Sequence, residues 1–317
     1  FPPPPPRARA PLTARCVQLQ AEVTHVVHNA WRVDFNLALP SFETHVAGTR
    51  RLVDVCAGAA RGARLVFVSS VSAAQDWDVA RGPVPEAPLA DPALSVGTGY
   101  GSSKFVGENL LARAAERGLQ CMSLRIGQVC GAAATGAWGT SEWVPILVKS
   151  SIALGKLPEL DGTVSWIPMD AVADIIRDIV LSQEEMPTLV NAVHPRPVAW
   201  KQVMGDINAC LGDKPLAVVP YSWWLEALER AADGATQEDL ERIPALKILD
   251  YFRAFGIDRR SLHSVPEDVA LEAGGFSTHE SQKLRAFCPS VRELAPVNEQ
   301  HVRAWMRYWR DVKFLEA

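Results

Sequence analysis

Apolar and polar positions along the first half of the chain follow two periods, one of strands and one of helices. VTHVVHNA, residues 23–30, is a short β-branched run ending in small and polar residues, and it predicts a buried strand. Residues 41–60 place Phe42, Val46, Leu52, Val53 and Val55 along one side of a helix. ARLVFVSS, residues 63–70, is the nearly continuous apolar run that parallel sheets bury on both faces. A proline-containing loop over 82–92 leads into YGSSKFVGENLLARAAERG, whose Phe105, Leu110, Leu111 and Ala114 recur at helical spacing. CMSLRIGQV, residues 121–129, reads as a third strand. Strand, helix, strand, loop, helix, strand is the order of an α/β fold with a doubly wound, Rossmann-like parallel sheet.

The pattern changes after Gly131. A Gly- and Ala-rich loop carries Trp138 and Trp143, and the helical stretch VPILVKSSIALGKLP follows it. Residues 165–182 read as a short strand and a helix, with Asp170 at the N-cap. LVNAVHPRPVAW is a further strand and loop, and the remainder is mainly helical, ending in the Trp-rich VRAWMRYWRDVKFL. That last helix is expected to pack down as core.

Composition narrows the function classes. The 317 residues are 48% hydrophobic with a net charge of −4, ample for a core and without the basic footprint of a nucleic-acid binder. No apolar run approaches the ~20 residues that span a bilayer. The six cysteines lie far apart without metal-ligand spacing, so no metal site is expected and reduced thiols in a cytoplasmic protein are. The chain opens on Phe1 and five prolines, read as a polyproline tail over residues 1–17.

Candidate chemistry begins at Tyr100 and Lys104. Residues four apart share a helix face, so a phenol and an ammonium can reach one cleft, where the cation favours the phenolate. In parallel α/β sheets ligands lie outside the carboxyl ends of the strands. Those ends are His28-Asn29-Ala30-Trp31, Ser69-Ser70-Val71-Ser72 and Arg125-Ile126-Gly127-Gln128. Taken singly, each also reads as an ordinary turn.

Together VTHVVHNAW, LVFVSSVSA, YGSSK and LRIGQVCG resemble an extended short-chain dehydrogenase/reductase. HNAWRVDFN, SWIPMDAVAD and WMRYWRDVKFL add a likeness to the terminal thioester reductase domains of fungal nonribosomal-peptide-synthetase-like enzymes and of carboxylic acid and aminoadipate reductases. The resemblance implies Ser70, Tyr100 and Lys104 as the catalytic group. It implies NADPH held by Asn29, Ala30, Trp31, Ser69, Tyr100, Lys104, Ile126 and Gly127. The implied substrate is a phosphopantetheine-bound acyl group on a carrier domain, reduced to an aldehyde or further to an alcohol. It also implies a dinucleotide-binding domain over 18–130, to which 165–182 return, and a substrate subdomain over 131–164 and 183–317. Trp138, Trp143 and Trp166 are expected at core or rim positions before a substrate channel.

Two departures stand out. The family's N-V-x-G-T segment is His45-Val46-Ala47-Gly48-Thr49, and a Gly-rich phosphate turn does not precede VTHVVHNA. The expectation is therefore an N-terminally incomplete sheet, an exposed first strand and weakened cofactor binding. Two other readings share these residues. One is a different extended dehydrogenase, such as a fatty acyl-CoA reductase or sugar epimerase. The other is a binding module without hydride chemistry.

Overall fold

The structure, a computed structural model, describes residues 14–255, 265 and 269–316. The proline-rich residues 1–13 lie outside the described residues, and 14–17 already belong to helix α1, Ala14–Glu22. The chain divides into two compact units. The first holds the residues up to Ala73, Ala87–Leu124 and Glu184–Leu189, and the second holds the rest.

Strands β1 (His25–His28), β2 (Arg64–Ser70) and β3 (Cys121–Ile126) lie side by side in that order, followed by the strand Leu189–Ala192. β1 and β2 pair in parallel, with Val26 opposite Leu65 and His28 opposite Phe67. β1 ends the sheet among the described residues, and its Val27 is 40% exposed, matching the expected apolar edge.

Helices α2 (Glu43–Ala57) and α3 (Gly99–Ala115) pack on β2 in the first unit. Their shared core contains Cys56, Leu65, Phe67, Leu111 and Cys121. On α2 the buried residues are Thr49 and Cys56, one heptad apart, with Phe42 a heptad earlier at the N-cap. A polar Thr occupies this stripe because its hydroxyl has a partner, described below.

α3 starts where Thr98 Oγ1 accepts a hydrogen bond from the Gly101 N–H at 3.0 Å. Two glycines set how closely this helix approaches its neighbours. A Cβ on Gly99 would stand 2.2 Å from the Leu37 carbonyl oxygen. On Gly107 it would stand 2.6 Å from the Phe67 ring. Any larger residue at 107 therefore pushes α3 off β2, the two elements that carry the site.

The second unit is built on aromatics. Trp138, Trp200, Trp224, Trp305 and Trp309 are each no more than 1% exposed and belong to one apolar cluster. The terminal helix Glu299–Asp311 supplies Trp305 and Trp309, whose rings lie 4.9 and 5.7 Å from that of Trp138. The core role expected for this helix is therefore what the fold uses. Asp170 falls in the first turn of the helix Met169–Leu181, whose N-cap is Pro168. Its carboxylate instead accepts from the Ala133 N–H at 3.2 Å, tying down the Gly/Ala-rich loop. Cys56, Cys121, Cys130 and Cys288 are buried thiols. No helix among the described residues is long and apolar enough to cross a membrane.

Candidate active site

The carboxyl end of β2 and the first two turns of α3 bring Ser70, Tyr100 and Lys104 into one place in the first unit. The Ser70 side chain acts on the Tyr100 phenol, favouring its ionised form, while Ser70 Oγ donates to Ser72 Oγ at 3.3 Å. Ser70 Oγ also accepts from the Ser72 N–H at 3.2 Å, which fixes its rotamer at the turn leaving the strand. The Tyr100 ring is 7% exposed and is clamped edge-on by Phe35 at 5.0 Å and Phe42 at 6.3 Å. Burial pushes the phenol above its usual range, partly offset by Ser70. The sequence led us to expect Lys104 to favour the phenolate. Instead burial sets the direction and Ser70 alone opposes it, so Tyr100 is a protonated donor at neutral pH.

Lys104 is 2% exposed. Its ammonium donates to the Val68 carbonyl at 2.7 Å and sits 4.3 Å from the centre of the Trp31 ring and 4.9 Å from that of Phe67. Aromatic faces attract a cation but solvate it poorly. Desolvation accordingly lowers this amine to about 7, opposed by the negative charge of Glu108.

The end of β1 closes over the same amine. His28 Nε2 lies 3.0 Å from Thr49 Oγ1, and Thr49 in turn donates to the His45 carbonyl at 3.0 Å. This is why a threonine sits on the buried stripe of α2. The Trp31 indole N–H donates to Ser103 Oγ at 3.2 Å, and its ring lies 5.1 Å from that of His45. His28 is held below its usual value by burial, then by Lys104 and His45, so it is neutral near pH 7.

The other sequence-selected residues are placed differently. Asn29 and Ala30 are exposed just past β1. Ser69 is 3% exposed and donates to Glu108 Oε1 at 2.6 Å, so its hydroxyl is engaged inside the protein. Ile126 and Gly127 belong to the second unit, where the Gly127 N–H donates to the Ala192 carbonyl at 3.1 Å. A Cβ on Gly127 would meet Val193 Cγ1 at 2.9 Å, which gives this glycine a packing reason of its own. Trp138 and Trp166 are core, and half-buried Trp143 donates to Gln128 Oε1 at 2.6 Å. A cavity of about 360 Å³ lined in part by residues of α2 and α3, among them Cys56 and Arg113, includes none of Ser70, Tyr100 or Lys104.

His28 and Ser103 lay inside motifs the sequence singled out but were given no role there, and Glu108 was not singled out at all. Glu108 continues the series Tyr100, Lys104 at the same spacing of four, and that periodicity was the available signal.

Taken as chemistry, the arrangement is a protonated phenol and a neighbouring hydroxyl beside a buried amine. Such a group can donate to a developing oxyanion.

Known proteins share this framework. A family profile described as male sterility protein, an NAD-binding family, matches residues 13–176. Adenylate-forming reductase Nps11 of Serpula lacrymans var. lacrymans is 41% identical over 300 residues, which make up 92% of this chain and 27% of that protein. Carboxylic acid reductase of Neurospora crassa is 33% identical over 303 residues, 92% of this chain and 27% of that one. The chain thus spans about a quarter of the length of these relatives. Among solved structures, the terminal R domain from the myxalamid PKS-NRPS biosynthetic pathway aligns with a TM-score of 0.78 at 26% identity. The alignment covers 96% of this chain and 73% of that domain. With more than half of its residues matched by the profile, and its Ser, Tyr and Lys gathered within that stretch, this chain belongs to the NAD-binding male sterility protein family.

Proposed function

We propose that the chain is the reductase portion of a larger adenylate-forming reductase, reducing a carrier-bound acyl thioester to an aldehyde with NADPH. The observation that carries this reading is the gathering of Ser70, Tyr100 and Lys104 where β2 meets α3, with the Lys104 amine 2.7 Å from the Val68 carbonyl and 5.8 Å from the centre of the Tyr100 ring. The likeness to terminal reductase domains supports the substrate class.

The donor set suits a nicotinamide cofactor. A phenol and an amine on one helix face match a ribose diol, and the exposed, small Ala30 leaves room for a ligand at the end of β1. Bound there, the cofactor supplies hydride to the thioester carbonyl carbon.

The chain's own residues handle the oxygen and the proton. Ser70 Oγ and the Tyr100 phenol donate to the carbonyl oxygen as negative charge builds on it. Tyr100 then gives up its proton, leaving a neutral hemithioacetal. Lys104, when charged, stabilises the tyrosinate so formed and holds the ribose. Collapse of the hemithioacetal breaks the carbon–sulfur bond, returns the hydroxyl proton to the departing thiolate and yields an aldehyde with a free carrier thiol. Phe35 and Phe42 keep the phenol ring oriented throughout.

The test is the stoichiometry of NADPH oxidation with an acyl-pantetheine thioester. The expected result is one free thiol for each aldehyde formed, with one NADPH consumed. NADPH consumption without thiol release, or thiol release without NADPH consumption, would exclude this chemistry.

A further inference from the structure

Three consecutive residues of β2 each engage one of three residues spaced four apart on α3. Lys104 Nζ donates to the Val68 carbonyl at 2.7 Å, and Ser69 Oγ donates to Glu108 Oε1 at 2.6 Å. Ser70 acts on the Tyr100 phenol. The middle tie joins two polar groups that are almost fully out of water: Ser69 is 3% exposed and Glu108 1%.

A carboxylate is kept in such a place only when its charge and its lone pairs are compensated. Ser69 meets one of these needs. The amine one turn back, itself 2% exposed, meets the other. We propose that Glu108 is a positioning residue of this active site: anchored by Ser69 one turn beyond Lys104 on the same buried face of α3, its carboxylate holds the Lys104 amine at the catalytic edge of the helix.

The physical reason lies in what surrounds Lys104. Trp31 and Phe67 provide ring faces, Val68 a carbonyl, and Tyr100 a phenol that stays protonated. His28 at the end of β1 is coupled electrostatically to the amine and to His45 of α2. Both imidazoles add repulsion whenever they are charged. The compensating charge acting on Lys104 comes from Glu108. If that charge is lost, the amine gives up its proton at a lower pH, and the site loses the cation that steadies the tyrosinate. Ser69 gains a clear role at the same time. Its hydroxyl fixes the carboxylate, so it need not contact the cofactor.

The inference rests on the reductase reading for its rate measurement alone. The direct measurement is the titration of Lys104 in the whole chain, followed through the ¹³Cε resonance in lysine-labelled protein and assigned with Lys104→Met. Glu108→Gln keeps shape and the capacity to accept from Ser69 but removes the charge. We expect its Lys104 midpoint to fall by ~1 pH unit or more, with Glu108→Asp falling between it and the parent. The alkaline limb of kcat/KM for the thioester moves to lower pH by the same amount, while KM changes less than twofold.

A merely structural carboxylate would lower the melting temperature and leave both midpoint and limb in place. Unchanged Lys104 midpoints in both variants, or in Glu108→Asp alone if the Gln variant does not fold, would overturn the proposal. A parent chain without thioester-dependent NADPH oxidation would sink the reductase reading, and the resonance titration would still decide the role of Glu108.

Discussion

Tyr100→Phe should lower kcat for thioester reduction by ~10²–10⁴-fold, the usual contribution of a positioned proton donor. The fold should survive the change. The ring remains clamped between Phe35 and Phe42, and Ser70 keeps its contact with the Ser72 N–H. Only the phenol hydroxyl is lost, so the stability cost is that of one hydrogen bond, about 1 kcal/mol. Steady-state rates and a thermal melt on the same preparation check both halves. A rate within a few-fold of the parent would remove Tyr100 from proton donation.

The second large effect is on pH dependence. Buried between Trp31 and Phe67, Lys104 titrates at about 7, where a solvated lysine would titrate near 10.5. The charged form is the one that steadies the tyrosinate and the ribose. As pH rises through about 7 the charge is lost, and kcat/KM should fall towards tenfold per pH unit above that point. His28 is held low, so the limb belongs to the amine.

Stability should move the other way across the same window. Between the folded value of about 7 and the unfolded value of 10.5, the unfolded chain binds the extra proton at this position. Rising pH therefore favours the folded state there. The difference between melting curves of the parent and Lys104→Met isolates the contribution. A rate profile flat to pH 9, or a stability difference independent of pH, would contradict a buried amine of this kind.

The proximity of Ser70, Tyr100 and Lys104 was legible because each of them obeys a simple rule. Tyr100 and Lys104 share a helix face by spacing, and Ser70 stands at a strand end, where α/β sheets place their ligands. The same rules carried further would have found more. Leu65, Phe67 and Ser69 alternate on the side of β2 that meets α3, so parity alone points Ser69 inward, towards Glu108. A buried glutamate is rare enough that its place in the 100, 104, 108 series was easy to overlook.

Other features had no signal in the sequence. That His28 bonds Thr49 depends on the packing of β1 against α2, two elements whose separate patterns do not reveal it. The direction in which Tyr100 titrates follows from burial, and the Tyr-x3-Lys spacing carries no information about burial. The terminal helix packs as core through Trp305 and Trp309, as its sequence suggested. The ring geometry around Trp138, however, emerges only once residues 138, 166, 305 and 309 are folded together.

The account turns on Ser70 and Tyr100 acting on one oxygen, and a double-mutant cycle on kcat/KM measures this directly. If the two hydroxyls serve the same developing charge, Ser70→Ala combined with Tyr100→Phe should cost less than about tenfold more than Tyr100→Phe alone. Losses that multiply, so that the double variant falls by the full product of the two single effects, would mean that the hydroxyls act at separate places and that the proposed centre does not exist.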